Sequence, residues 1–228
     1  MADLFREVDE AMRQERIEKF WAENKAYIIG VILGTILLTG LISGYRSWDQ
    51  SVKEKQTAAL IALQESPDYP TNILETQNLD FRSGLRGITL LQAAGNFLDQ
   101  DKTEEALTLY KRAGQDKDLP DDLRHLGILM SVRLLTDNED ADGKALLEQL
   151  SPLVSDTKSP WVHHARLEAA VINAHKLGDY NAAIAHLNAV MDTPNLPESL
   201  SARAGALAHL YSLKQKKQSK PETQDKTG

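Results

Sequence analysis

Cysteine is missing from all 228 residues. Disulfides, thiolate nucleophiles and Cys-bound metals are therefore excluded, while the compartment stays open, since cysteine-free proteins occur on both sides of a membrane. A basic excess is missing too, at a net charge of −7. Residues 46–213 carry 24 acidic against 16 basic side chains, a local −8. Phosphate neutralisation needs clustered Lys and Arg, so nucleic acid is not expected as a partner. The chain has no GxSxG, no HExxH and no glycine-rich phosphate loop, which removes the sequence signals of serine hydrolases, zinc proteases and nucleotide-binding enzymes. Beyond Arg86, β-branched residues are sparse and no stretch alternates with period two, so no strand is expected.

One stretch lacks charge altogether. Ala26–Tyr45, AYIIGVILGTILLTGLISGY, holds twenty residues without Asp, Glu, Lys or Arg, enough helix to span about 30 Å of bilayer core. Lys25 and Arg46 close its ends, and Trp21, Tyr27, Tyr45 and Trp48 stand where interfacial aromatic belts form. The 25 residues before it contain seven acids, and the apolar run is too long for a signal peptide, so the segment is expected to stay as an anchor. Four basic residues flank the span on its N-terminal side (Arg13, Arg16, Lys19, Lys25) and three on its C-terminal side (Arg46, Lys53, Lys55). That bias favours a cytoplasmic head and an exported body. Gly30, Gly34, Gly40 and Gly44 make two GxxxG steps on one face of the span, and a glycine face lets another helix come close.

The head, residues 1–25, reads as a charged helix with Leu4, Phe5, Val8, Met12, Phe20 and Trp21 near helical spacing. Residues 46–85 are expected to form a connecting helix to Gln64, a stop at Ser66-Pro67-Asp68-Tyr69-Pro70, and a linker over 71–82. From 86 to 213 helical stretches alternate with short breaks, at 86–98, 103–115, 121–135, 142–154, 160–177, 180–192 and 198–213. A small residue followed by apolar ones at +4 and +7 recurs: Ala106, Tyr110 and Ala113, then Ala183, Leu187 and Val190, with Ala145 between them. Ala106 to Ala145 is 39 residues and Ala145 to Ala183 is 38. Such spacing fits helix hairpins stacked on one another. The stretch from Gly178 to Pro194, with Leu90, Ala93, Ala94 and Phe97 in an earlier helix, resembles the tetratricopeptide repeat. The predicted fold is thus all-α: one N-terminal transmembrane helix, then a divergent tetratricopeptide-like domain. Residues 214–228, rich in lysine, are expected to be a disordered basic tail.

Only the six histidines offer a metal ligand or general base. His164, His175 and His186 are spaced by 11, but Gly178 breaks the helix between the last two, and no ligand pattern surrounds them. Catalytic, cofactor-binding and metal-binding residues are therefore not expected, nor is a small-molecule substrate. Trp161, after Pro160, is expected to pack between adjacent units.

The opening LFREVDEAMRQERIEKFW, the early span, and a body containing SPWVHHARLEAA and LGDYNAAIAHLNAVM together resemble the tetratricopeptide-like ancillary subunits of the bacterial Sec translocon, over residues 3–213. The resemblance implies a single-pass inner-membrane protein with a cytoplasmic N-terminus and a periplasmic C-terminal domain. It also implies two partners, the translocon and a membrane-anchored periplasmic chaperone, and a role in secretion or chaperone handover. The alternative is an accessory subunit of another inner-membrane complex, respiratory or envelope-assembling.

Overall fold

The computed structural model describes residues 2–76 and 78–218, with side chains from Met12 onward. The apolar positions expected at Leu4, Phe5 and Val8, and the tail beyond Gln218, lie outside the described residues. Among the described residues every regular element is an α-helix. They are α1 (Ala2–Gln64), α2 (Thr71–Glu75), α3 (Ser83–Asp99), α4 (Thr103–Gln115), α5 (Asp121–Thr136), α6 (Gly143–Ser155), α7 (Val162–His175), α8 (Tyr180–Met191) and α9 (Glu198–Gln218). The chain divides into two compact units, Met1–Ala58 and Ala59–Gly228.

The first unit consists of α1 up to Ala58. It contains the one helix, among the described residues, long and apolar enough to cross a membrane. Its large apolar side chains, from Ile29 through Tyr45, stand exposed. The two threonines of the span do not leave their hydroxyls without a partner. Thr35 Oγ1 donates to the Val31 carbonyl at 2.8 Å and Thr39 Oγ1 to the Thr35 carbonyl at 2.7 Å, so both polar groups are satisfied inside their own helix, as a lipid environment requires.

The second unit holds α2 to α9. Each of α3 to α9 packs against the next in sequence, and the short turns between them make successive helices antiparallel. The odd helices also touch one another, α3 to α5, α5 to α7 and α7 to α9, whereas α4, α6 and α8 do not meet among the described residues. Two layers result, tight on the odd side and splayed on the even side. Three apolar clusters follow one another along it. Helix α7 serves two of them, with Ala165, Ala169 and Ile172 facing one and Leu167, Ala170 and Ala174 the other. A helix buried on two sides needs small residues all round, which is why α7 is alanine-rich and only weakly amphipathic.

The even helices share one pattern of burial. Ala106, Tyr110 and Ala113 of α4 are buried, as are Ala183, Leu187 and Val190 of α8. In α6, however, the buried set is Leu146, Leu150 and Leu153, and Ala145 is exposed. The expected register of the middle unit is therefore corrected by one residue. Asp142 caps α6, accepting from the Lys144 N–H at 2.9 Å, and that start fixes which side faces inward. A leucine stands where the outer two units have alanine, so α6 cannot approach α5 as closely as α4 does.

The closest approach lies between α4 and α5. A Cβ on Gly127 would stand 2.7 Å from the Gly114 nitrogen and 2.9 Å from the Tyr110 carbonyl oxygen, both backbone atoms. Gly178 is required for another reason: at φ +65 it turns the chain out of α7, in the region glycine enters without strain. The Asp179 N–H then bonds back to the Asn173 carbonyl at 2.8 Å. Residues 71–82, expected to be a linker, contribute Ile73 and Leu79 to the first cluster, at 1% and 7% exposure.

Candidate functional site

The odd layer carries a cluster of charged and aromatic side chains across three helices. Glu168 of α7 is 5% exposed, and its Oε2 lies 3.4 Å from Nε of Arg133 on α5. His164, one turn earlier on α7, stacks at a tilt on Trp161, with ring centroids 6.0 Å apart. Burial depresses the pKa of His164, and the positive charges of Arg133, Arg203 and His163 depress it further. Arg203 stands exposed on α9. The buried carboxylate of Glu168 is thus paired with one guanidinium group, that of Arg133. Trp161 is half-buried between units as expected, its indole N–H donating to the Asp122 carbonyl at 2.8 Å.

Two grooves open on the even side because its helices do not meet. One, of about 460 Å³, lies between α4 and α6 over α5 and is lined by Gly114, Ile128, Gln149 and Pro152 among others. The second, of about 260 Å³, lies between α6 and α8 over α7, with Val154, Ala169 and His186 in its wall. Burial depresses the pKa of His186, and then Arg166 does so; His163 is held down by the same two causes in the same order. Arg166 itself donates to the Ala189 carbonyl at 3.2 Å.

His125 Nδ1 and Ser159 Oγ lie 3.0 Å apart, the geometry of a nucleophile and base. Both residues are 5% exposed, which leaves no room for a substrate, so the pair fastens α5 to the turn before α7. The evenly spaced histidines separate: His164 meets Trp161, His175 stacks edge-on against Tyr211 at 5.8 Å, and His186 lines the second groove. Among the described residues no three His, Asp or Glu side chains come together to hold a metal ion. Beside Gly30, Gly34, Gly40 and Gly44 an added Cβ would meet nothing within 4 Å.

Arg133 and Glu168 were not visible as a pair in the sequence, because they come from helices 35 residues apart. One signal was present: Glu168 interrupts the otherwise apolar run LEAAVI, and a carboxylate in a buried helix calls for a cation beside it. Comparisons with protein-family models, with curated proteins and with solved structures find nothing that matches this chain.

Proposed function

We propose that the protein is a membrane-anchored helical-repeat scaffold that binds protein partners beside the Sec translocon and assists secretion or the handover of clients to a periplasmic chaperone. The α1 span anchors it once, with the head in the cytoplasm and the body in the periplasm. The observation that carries this reading is the two-layered stack of antiparallel helices. Its units bury the same three positions in α4, α6 and α8. Stacked hairpins of this kind suit extended or helical peptides, and the burial pattern supports a divergent tetratricopeptide-like repeat. The likeness of the opening, the span and the repeat body to ancillary translocon subunits supplies the location. Crosslinking in native membranes followed by mass spectrometry tests it: translocon subunits and a membrane-anchored chaperone are expected, whereas enrichment of respiratory or envelope-assembly subunits would favour the alternative role as their accessory.

A further inference from the structure

From the last helix of the stack we infer that the body docks an acidic amphipathic helix of a partner protein along the outer face of α9, in the place that α8 takes on α7. The inference rests on the scaffold reading and names the chemistry of the partner.

The odd helices cover the same positions in turn. On α5, Leu129 and Val132 face α6 and α7, with Thr136 one turn further along that side. On α7, Leu167, Ala170 and Ala174 face α8 and α9. All six are buried, and each α7 position lies 38 residues beyond its α5 counterpart. A further 39 residues reach Ala206, His209 and Leu213 of α9. These three are exposed, as is Leu210 beside them, with Leu210 at 43% and Leu213 at 52%. The opposite side of α9 is closed, where Ala204 and Tyr211 are buried in the third cluster. A repeat array ordinarily ends on a polar outer face. Here α9 presents an apolar stripe in register with positions that the rest of the stack covers by a helix. That continuity makes a helix, and not an extended strand, the cover that fits.

Charge selects which helix. At about 100° per residue, Arg203 and Lys214 fall along one edge of the stripe and Lys217 continues it toward the end of α9. All three are exposed. In α9 as a whole Arg203, Lys214, Lys216 and Lys217 stand against one acid, Glu198. A docked helix with glutamate or aspartate along its flank is therefore favoured and a lysine flank is repelled, as flanking charges choose partners in coiled coils. A second α9 laid on this one would bring two basic helices together, so the same face of another copy does not fit. Residues 219–228, SKPETQDKTG, carry no large apolar side chain with which to fill the stripe.

The chain has no cysteine, so His209→Cys places a single environment-sensitive dye at the rim of the stripe. Full-length labelled protein in detergent micelles is titrated with three helical peptides patterned on α8. The first keeps the stripe of Ala183, Leu187 and Val190 and carries glutamate at the other positions. The second carries lysine there, and the third keeps the glutamates but has glutamine in place of the stripe. The first should bind roughly tenfold more tightly than either of the others and shift the dye to the blue. Arg203→Glu with Lys214→Glu should move the preference to the lysine peptide, and Leu213→Glu or the milder Leu213→Ser should abolish binding. Ile88→Glu, at a position 48% exposed on α3, should change nothing. Thermal unfolding reports whether each variant is intact, and where a Leu213 variant is not, the charge-reversed protein decides. Equal binding of the glutamate and lysine peptides, or folded Leu213 variants that bind normally, overturns the site. A blue shift without peptide in bilayers containing phosphatidylglycerol, and not in phosphatidylcholine alone, would make lipid the occupant. Self-association that Leu213→Glu removes would make it a second copy, and either result overturns the inference. If membrane crosslinking nevertheless finds translocon partners, the scaffold reading survives. If the acidic peptide binds as described and no partner crosslinks, it is the scaffold reading that fails.

Discussion

Arg86, in the first turn of α3, donates from Nε and Nη2 to the two carboxylate oxygens of Asp116 at 2.8 and 3.2 Å, and so ties the start of α3 to the end of α4. Burial alone would raise the Asp116 pKa. The hydrogen bonds from Arg86 and the Asp118 backbone, with the charges of Arg86 and Arg112, outweigh it and hold the carboxyl below its usual 3.8. A carboxyl depressed in the folded state stabilises it above the unfolded pKa, and that contribution is lost as pH falls below it. Asp116→Asn should therefore cost about 1–2 kcal/mol at neutral pH, as a charge-assisted bidentate pair is worth. Asp118, 3.8 Å from Arg86 and 87% exposed, supplies the comparison: Asp118→Asn should change the urea midpoint little. Equal losses would show that the bidentate geometry contributes nothing.

The burial register of the even helices gives a second prediction. Ala183→Leu forces a large side chain into a closed contact and should cost about 1–3 kcal/mol. Ala145→Leu, on an exposed position, should be nearly silent, whereas Leu146→Ala should cost about 2–5 kcal/mol through the cavity it leaves. Denaturant unfolding of the three variants decides between this register and the alanine-to-alanine spacing read from the sequence. Reversed effects at 145 and 146 would restore the latter.

Gly127 and Gly95 are both interior to helices, yet they should respond oppositely to alanine. At Gly127 the new methyl group meets the backbone of α4 at 2.7 Å and the helices must separate, for an expected loss of ~1–3 kcal/mol. At Gly95 a Cβ meets nothing within 4 Å, and relief of helix-interior glycine entropy should stabilise by about 0.5–1 kcal/mol. Melting temperatures that move in the same direction in both variants would contradict the close approach of α4 and α5.

Acidification should destabilise the body before any carboxylate titrates. His163, His164 and His186 each have a pKa depressed below 6.5, chiefly by burial, with Arg166 acting on the first and last and Arg133, Arg203 and His163 on His164. Above 6.5 these histidines are neutral in both states and cost nothing. As pH falls through 6.5 the unfolded chain takes up protons that the folded one resists, so stability declines until the depressed folded values are reached. Calorimetry should show a falling melting temperature from about pH 7.5 to pH 5.5, and the double variant His164→Gln, His186→Gln should flatten the slope. An unchanged slope in that variant assigns the acid sensitivity elsewhere.

Protease added to intact spheroplasts should remove the body beyond about Arg46 and spare the head, as the flanking charges direct. Protection of the body would reverse the proposed orientation and with it the location at the site of secretion.

The chain's period was legible where the packing was simple. The helix at 103–115 stands where the apolar spacing places it, because it buries one stripe, Ala106, Leu109, Tyr110 and Ala113. Three things escaped. Ala145 shares the small size of Ala106 and Ala183, so residue size points to a register one residue away from Leu146, the side chain the body buries. Ile73 and Leu79 vanished into an aperiodic segment, as single apolar residues in short or irregular backbone carry no period. The Arg133–Glu168 pair could not be assembled at all, because the two residues meet only once α5 and α7 lie side by side.

That side-by-side contact also makes the body behave like a hand fan bound along one edge. Spreading the odd helices means tearing apart three apolar interfaces, but drawing the even helices together means only squeezing water from two open grooves. The cheap deformation is therefore closure toward the grooves, and anything wedged into one near Pro152 or His186 would hold the even helices apart and block it.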